Sequence, residues 1–125
     1  MKELALISGA VFGILSIVLG AFGAHALKKI LSPERLESFE VGVRYQMYTA
    51  LALLWIGSAF DFGTQREHWA YYGLFWGAIL FSGSIYLLSF KDLLRINLRF
   101  IGPITPLGGL LMIVGWLMIL LEVLP

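Results

Sequence analysis

The chain has 125 residues, of which 59% are hydrophobic and 14% are charged, with a net charge of +1 and no cysteine. A soluble domain has about a quarter of its residues charged, and a chain this short cannot bury so much apolar surface in one core. The composition therefore excludes an ordinary soluble domain, a disulfide scaffold and any cysteine-ligated metal centre, and the near-neutral charge argues against binding to nucleic acid.

Four apolar stretches are each long enough to cross a bilayer as a helix, which takes about 20 residues. In a single domain of residues 1–125, they cover about residues 4–27, 41–60, 69–90 and 104–124. Lipid offers the backbone no hydrogen-bond partner, and none of the stretches alternates polar and apolar residues, so helices are predicted rather than strands. The sequence thus predicts an all-α fold, an integral membrane bundle of four transmembrane helices.

The first predicted helix carries small residues at steps of three and four. Gly9, Gly13 and Gly20 share one face of this helix. Small residues on one face let helix backbones approach closely, which is the chief attraction between helices in lipid. Two interpretations fit this face. It packs against another helix of the same bundle, or it forms an interface between copies of the chain. A cleaved signal peptide is disfavoured, because the apolar run exceeds the usual length of about 7–15 residues.

The second helix is predicted to begin near Pro33, because Ser32-Pro33-Glu34 combines an N-cap residue, a proline and an acid in the first turn. An amphipathic extension then precedes its apolar part. Arg44 lies only about 4.5 Å beyond Val41 along the helix, so its side chain can reach the interface. Glu40 stands one turn earlier, which predicts a structural ion pair with Arg44. The alternative is a binding site for a ligand or a lipid headgroup.

The third and fourth helices repeat the pattern of small residues on one face. A Gly102-Pro103 break ends the preceding segment, and Thr105-Pro106 repeats the N-cap and proline signal of the second helix, which predicts Thr105 as the cap at the start of the fourth helix. Trp116 falls in the middle of that span, where an interfacial role is excluded, so packing inside the bundle is predicted for it. The glycines predicted to mediate helix packing here are Gly73 and Gly77 in the third helix and Gly108 and Gly115 in the fourth.

The basic residues predict the orientation of the chain, because positively charged loops stay in the cytoplasm. With four spans, the two termini and the middle connection share one side, which holds only Lys2 and Arg66. Both termini are therefore predicted to be extracytoplasmic. The opposite side holds Lys28, Lys29, Arg35, Arg44, Lys91, Arg95 and Arg99.

Polar residues at the predicted cytoplasmic interface suggest a ligand-binding site. His25 ends the first helix on the side where Arg44, Tyr45 and Gln46 lie near the start of the second span, and Thr105 starts the fourth helix at the same level. Arg44 would bind an anion, while His25 and Gln46 would form hydrogen bonds. The alternative is a set of interface residues that satisfy one another, with no cavity.

No pattern in the chain predicts catalysis, a metal site or a cofactor. The sequence has no HxxxH or HExxH motif and no cluster of carboxylates, and His25 and His68 lie at opposite ends of the predicted bundle. We therefore predict no catalytic residue and no metal ligand, and an enzyme is the less favoured class.

Four motifs resemble, in order, those of the small membrane proteins catalogued as domain of unknown function family 423. They are Gly20-Ala21-Phe22-Gly23-Ala24-His25, Tyr45-Gln46, Phe81-Ser82-Gly83-Ser84-Ile85-Tyr86 and Thr105-Pro106-Leu107-Gly108-Gly109. The resemblance covers nearly the whole chain and implies four helices in a bacterial cytoplasmic membrane, with no established activity. One departure is Thr49, where the family often has a histidine. This departure argues against a mechanism that uses a pair of histidines.

The leading functional hypothesis is a non-enzymatic membrane protein that interacts with lipid, with a larger membrane-protein partner or with copies of itself. The main alternative is an oligomeric transporter of a small solute, drug or ion, by analogy with four-helix exporters. Such exporters need a carboxylate deep in a span, and none of these spans has one away from its ends. A third alternative is an enzyme acting on lipids or quinones through His25 and Arg44.

Overall fold

The computed structural model describes all 125 residues and contains helices but no strand, which confirms the predicted all-α class. Four long helices are joined by three connections, and the last connection contains a short helix. Single 3₁₀ turns occupy residues Leu27–Lys29 and Arg99–Ile101. The α-helices are α1 (Lys2–Ala24), α2 (Pro33–Ala59), α3 (Gln65–Ser89), α4 (Lys91–Leu94) and α5 (Ile104–Val123).

Local capping sets where α2 and α3 begin. α2 starts at Pro33 as predicted, and the Ser32 hydroxyl accepts a hydrogen bond from the Arg35 N–H at 3.3 Å. α3 starts at Gln65, four residues before its apolar part. There the Thr64 hydroxyl accepts from the Glu67 N–H at 3.2 Å, and the Glu67 carboxylate accepts from the Thr64 N–H at 3.0 Å. Hydropathy alone misses this polar first turn.

The predicted cap of the fourth helix is wrong. α5 begins at Ile104, with Pro103 at the N-cap position and no side-chain cap. Thr105 lies inside the first turn, where its hydroxyl is 2.6 Å from the Ser84 hydroxyl of α3. A tertiary contact has taken the side chain that a local cap would have used.

The long helices pack in chain order, α1 on α2, α2 on α3, and α3 on α5, with the last pair in the most extensive contact. Leu53 and Ile56 of α2 and Tyr71 and Leu74 of α3 are fully buried at the centre of the main apolar core. α1 also reaches α3 through side chains, since the Ser8 and Tyr71 hydroxyls lie 2.9 Å apart. A smaller cluster of Leu27, Leu31 and Phe39 closes the other end.

Three helical stretches are long and apolar enough to cross a membrane, namely Lys2–Lys29, Gln65–Ser89 and Arg99–Val123. α2 does not reach this threshold, so the prediction of four spans is confirmed only in part. Polar residues between Arg44 and Thr49 lower its hydropathy. Two of them face inward, however, because Gln46 and Thr49 are only 7% and 3% exposed.

The outer surface of the long helices is apolar. Large side chains such as Ile7, Ile14 and Ile17 of α1 and Leu110 and Ile113 of α5 are more than half exposed. Exposed apolar surface of this extent is unfavourable in water and is expected where helices face lipid. The fold thus has a packed interior and an apolar outer surface along its long helices.

Ion pairs connect the segments at each end of the bundle. Lys2 Nζ lies 3.1 Å from Asp61 Oδ1 at one end, and Arg35 Nε lies 3.3 Å from Asp92 Oδ2 at the other.

We call residues 25–44 and 90–103 the basic end, which has seven basic and four acidic residues and a net charge of +3. The remaining charged residues lie at the opposite, acidic end and give it a net charge of −2; they are Lys2, Arg66, Glu3, Asp61, Glu67 and Glu122.

Candidate functional site

Gln46 is the centre of a buried hydrogen-bonded cluster that joins three helices. Its Nε2 donates to the Phe12 carbonyl oxygen of α1 at 3.0 Å, and its Oε1 accepts from the Tyr86 hydroxyl of α3 at 2.6 Å. Nearby, the Ser82 hydroxyl donates to the Gly42 carbonyl oxygen at 2.7 Å. We call Gln46, Ser82 and Tyr86 the interior polar cluster. They line a small cavity of about 200 Å³.

The hydrogen bonds of the interior polar cluster explain how an amide side chain is accommodated inside a helical bundle. An amide that lacks partners in an apolar environment costs roughly 2–7 kcal/mol. Gln46 avoids this cost because both its oxygen and its nitrogen are bonded within the chain. The cluster therefore holds α2 against α1 and α3 in one register.

A larger apolar groove of about 900 Å³ runs between α2 and α5. We call it the α2–α5 groove. Apart from the two tyrosines, Thr49 is the one groove residue with a side-chain hydroxyl, and its Oγ1 lies 3.6 Å from the sulfur of Met112. The groove is lined by Tyr45, Tyr48, Thr49, Leu51, Ala52, Trp55, Phe81, Gly109, Met112, Ile113, Trp116 and Ile119.

Aromatic side chains line much of the α2–α5 groove. The Tyr45 ring centroid lies 5.1 Å from that of Phe81 and 5.6 Å from that of Tyr48, so these three rings support one another. Trp116 lies on the opposite wall and is 53% exposed. The prediction that Trp116 packs inside the bundle is therefore wrong. It faces an open groove because α5 is held against α3 rather than against α2.

The glycines explain why α5 lies so close to α3. A Cβ built on Gly73 would lie 2.7 Å from the Gly115 backbone nitrogen. A Cβ built on Gly77 would lie 2.7 Å from the Met112 backbone nitrogen. A Cβ on Gly108 would fall on the α3 backbone at Phe81. Only residues without side chains permit this approach.

The glycines of α1 face α2 with more varied spacing. A Cβ on Gly9 would lie 2.8 Å from the Ala50 carbonyl oxygen, whereas Cβ atoms on Gly13 and Gly20 would lie 3.9 Å and 3.5 Å from the nearest side-chain atoms, those of Ala50 and Val43. All seven glycines predicted for helix packing thus face a neighbouring helix of the same chain. Gly13 and Gly20 have room for a methyl group.

The structure places the five residues of the predicted ligand site in separate environments. Tyr45 lines the α2–α5 groove, Gln46 belongs to the interior polar cluster, and Thr105 bonds to Ser84. His25 is exposed on the outer face of α1, and Arg44 is exposed on α2. No cavity is lined by more than one of the five. No three histidine or carboxylate side chains are grouped to hold a metal ion.

The predicted ion pair between Glu40 and Arg44 is wrong. The chain has two salt bridges, Lys2 with Asp61 and Arg35 with Asp92, and neither involves Arg44. An exposed pair one helical turn apart is worth only about 0.3–0.5 kcal/mol, so the side chains have little reason to meet. The Arg44 guanidinium is left without an acidic partner in the chain.

Three residues of these sites were not predicted from the sequence, namely Ser82, Tyr86 and Trp55. Ser82 and Tyr86 are four residues apart in an apolar helix, and this spacing puts both on one face. Because a polar group within a membrane span needs a partner, that spacing was a usable signal for the interior polar cluster. Nothing in the sequence distinguishes Trp55 from an ordinary exposed tryptophan.

Comparison with known proteins gives one family. The family described as "Protein of unknown function (DUF423)" matches residues 19–109. The chain is 41% identical to a UPF0382 membrane protein of Staphylococcus haemolyticus over 120 residues, which is 96% of this chain and 94% of that one. It is 39% identical to the UPF0382 membrane protein YwdK of Bacillus subtilis over 116 residues, 91% of this chain and 90% of that one.

A relative also occurs in a eukaryote. A UPF0382 membrane protein of Schizosaccharomyces pombe is 38% identical over 108 residues, which is 86% of this chain and 90% of that one. Proteins of this kind are therefore not confined to bacteria. No solved structure matches the chain.

Proposed function

Because this chain belongs to the DUF423 family, whose relatives above are named as membrane proteins, we propose that it is a four-span, lipid-interacting component of the cytoplasmic membrane. The observation that carries the proposal is the α2–α5 groove, a cleft of about 900 Å³ that is open and lined almost entirely by apolar side chains. A groove of this size on a helix surface that faces a bilayer is filled by lipid tails or by another protein. The proposed role is structural and does not involve catalysis.

The proposal of four spans rests on the packing of α2. The helix has 27 residues, which correspond to about 40 Å and exceed the hydrocarbon thickness of a bilayer. Its polar residues Gln46 and Thr49 are buried and bonded within the chain, so they need not meet lipid. Low hydropathy is then compatible with a span, because Gln46 and Thr49 are shielded by α1, α3 and α5 and the exposed Arg44 lies at the basic end.

The proposed orientation, with the basic end in the cytoplasm, has a direct test. Reporters active only in the cytoplasm or only outside it would be fused after Ile30, Gly63, Asn97 and Pro125. We expect cytoplasmic activity after Ile30 and Asn97, because the basic end carries a net charge of +3. We expect extracytoplasmic activity after Gly63 and Pro125.

The same fusions separate three spans from four. If α2 did not cross the bilayer, the fusions after Ile30 and Gly63 would report the same side, and the four-span proposal would fail. Cytoplasmic activity at Pro125 combined with extracytoplasmic activity at Asn97 would reverse the proposed orientation.

The lipid-interacting role predicts that the protein retains phospholipid when it is released gently from a bilayer. Native mass spectrometry should show bound lipid on the unaltered chain and less on Gly109→Leu. A Cβ at Gly109 would lie 3.7 Å from the Phe81 ring, so a larger side chain is tolerated there and fills the groove. Gly83→Leu adds the same volume outside the groove, with no atom within 4 Å of its Cβ, and should retain lipid normally. Equal lipid retention by both variants would contradict the groove as the site.

A further inference from the structure

Arg44 shares a helix face with residues of the α2–α5 groove. Arg44, Tyr48, Leu51 and Trp55 follow one another at steps of four, three and four, so they fall within about 60° of the helix circumference. The last three line the groove. Arg44 therefore lies one turn before Tyr48 on the same face and directly precedes Tyr45, the first groove residue of α2, at the basic end.

The guanidinium of Arg44 is available to a ligand. It is exposed, and both salt bridges of the chain are made by other residues. A guanidinium presents parallel N–H donors that fit two oxygens of a phosphate, and its long stem lets the charge reach the headgroup region. Tyr45 and Tyr48 stand beside it, and both are about half exposed.

Charge is the feature that can select an occupant for the groove. Lipid tails are already in an apolar solvent, so an apolar groove by itself gains only packing energy and has little preference among lipids. The basic end, in contrast, carries a net charge of +3 and attracts anions to the mouth of the groove. A headgroup with a net negative charge satisfies both features at once.

We infer that the α2–α5 groove binds an anionic glycerophospholipid, with one acyl chain in the groove and the phosphate on Arg44. This inference rests on the proposed function, since the lipid enters from the surrounding bilayer. From Tyr45 to Trp55 the groove follows α2 for about 15 Å, which is half of the hydrocarbon thickness and so the length of one leaflet's acyl chains.

A second copy of the chain fits the groove less well than a lipid. A parallel copy seated on this face would bring a second basic end, again with a net charge of +3, beside the first. Like charges held close together repel, and no carboxylate pairs with Arg44 to offset the repulsion. An anionic lipid supplies the missing negative charge.

The tryptophans provide a matched pair of probes. Trp55 and Trp116 line the groove and are 48% and 53% exposed. Trp69 and Trp76 line a separate cleft between α3 and α5 and are 53% and 51% exposed. The double variant Trp69→Phe/Trp76→Phe keeps only the groove probes, and Trp55→Phe/Trp116→Phe keeps only the control probes.

Each variant would be reconstituted in phosphatidylcholine vesicles that contain a fixed small fraction of lipid brominated on its acyl chain. The brominated lipid would carry either a phosphatidylglycerol or a phosphatidylcholine headgroup. We expect the groove probes to show a preference of about five-fold for the anionic lipid in quenching, the value expected from one basic residue at a membrane surface. The control probes should be quenched equally by the two lipids.

Two charge variants complete the test. Arg44→Gln, made in the groove-probe background, should remove the preference for phosphatidylglycerol. Lys29→Gln removes the same charge from the connection between α1 and α2 and should lower the preference by less than Arg44→Gln does, because Lys29 contributes to the net charge of the basic end but does not share the helix face of the groove.

Three results would overturn the inference. Equal quenching of the groove probes by both headgroups would show ordinary surrounding lipid. Quenching of the control probes alone would show that protein, such as a second copy, covers the groove. A preference that survives Arg44→Gln would exclude Arg44 as the phosphate ligand. If neither pair were quenched by either lipid, the chain would not be embedded in the bilayer, and the proposed function itself would fail.

Discussion

Gly108→Ala is expected to destabilise the protein by about 3 kcal/mol or more, the upper part of the range for overpacked interiors. The new Cβ would lie 2.8 Å from the Leu80 carbonyl carbon and from the Phe81 Cα, and closer still to the Phe81 nitrogen. All three are backbone atoms of α3, which cannot rotate away as a side chain would. The substitution must therefore separate α3 from α5, the pair in the most extensive contact.

Thermal unfolding in detergent measures this effect, and we expect a fall in the melting temperature of roughly 10 °C or more. Two matched glycine-to-alanine variants serve as controls. Gly83 has no atom within 4 Å of a built Cβ, and at Gly13 the nearest atom, the Ala50 Cβ, is 3.9 Å away. Both controls should melt close to the unaltered protein. A Gly108→Ala variant that also did so would contradict the close contact between α3 and α5.

Gln46→Leu is expected to cost about 1–2 kcal/mol of stability, the range for a hydrogen bond lost inside a membrane bundle. Leucine removes the acceptor of the Tyr86 hydroxyl, which lies 2.6 Å from Gln46 Oε1. The hydroxyl is then left in an apolar environment without its partner. The loss of the donor to the Phe12 carbonyl matters less, because the Ser16 hydroxyl also donates to that oxygen at 2.8 Å.

A double-mutant cycle isolates the contact. Tyr86→Phe removes the hydroxyl alone, and the pair Gln46→Leu/Tyr86→Phe removes both partners. Replacing both partners by apolar groups is nearly neutral. The double variant should therefore lose about 1 kcal/mol less stability than the two single variants lose together. Ser58→Ala, which removes an exposed hydroxyl, should leave the melting temperature unchanged. Strict additivity of the two single variants would show that Gln46 and Tyr86 do not interact.

The sequence by itself determined the class of the protein and several helix boundaries. The excess of apolar residues and the absence of alternating patterns predicted an all-α membrane protein. The start of α2 at Pro33 was predictable because an N-cap, a proline and an acid act on backbone groups within one turn. Such signals need only neighbours in the chain. The four ordered motifs identified the family because each motif is a short run of neighbouring residues.

Local rules failed where two distant segments compete for one side chain. Thr105 had the position of a helix cap, yet Ser84 of α3 takes its hydroxyl. Gln46 was predicted to bind a ligand at the cytoplasmic interface, yet its side chain bonds to α1 and α3 in the interior. Gln46 and Thr49 lower the hydropathy of α2, yet the other helices shield both side chains.

Only the tertiary structure decided which faces of the helices stay uncovered. Each glycine stripe shows that some backbone approaches closely, but the stripe does not say which one. Because Gly108 and Gly115 seat α5 against α3, the face of α5 that carries Trp116 is turned toward α2 and leaves the α2–α5 groove open. That arrangement depends on contacts between residues about 30 positions or more apart, and neither hydropathy nor helical spacing contains this information.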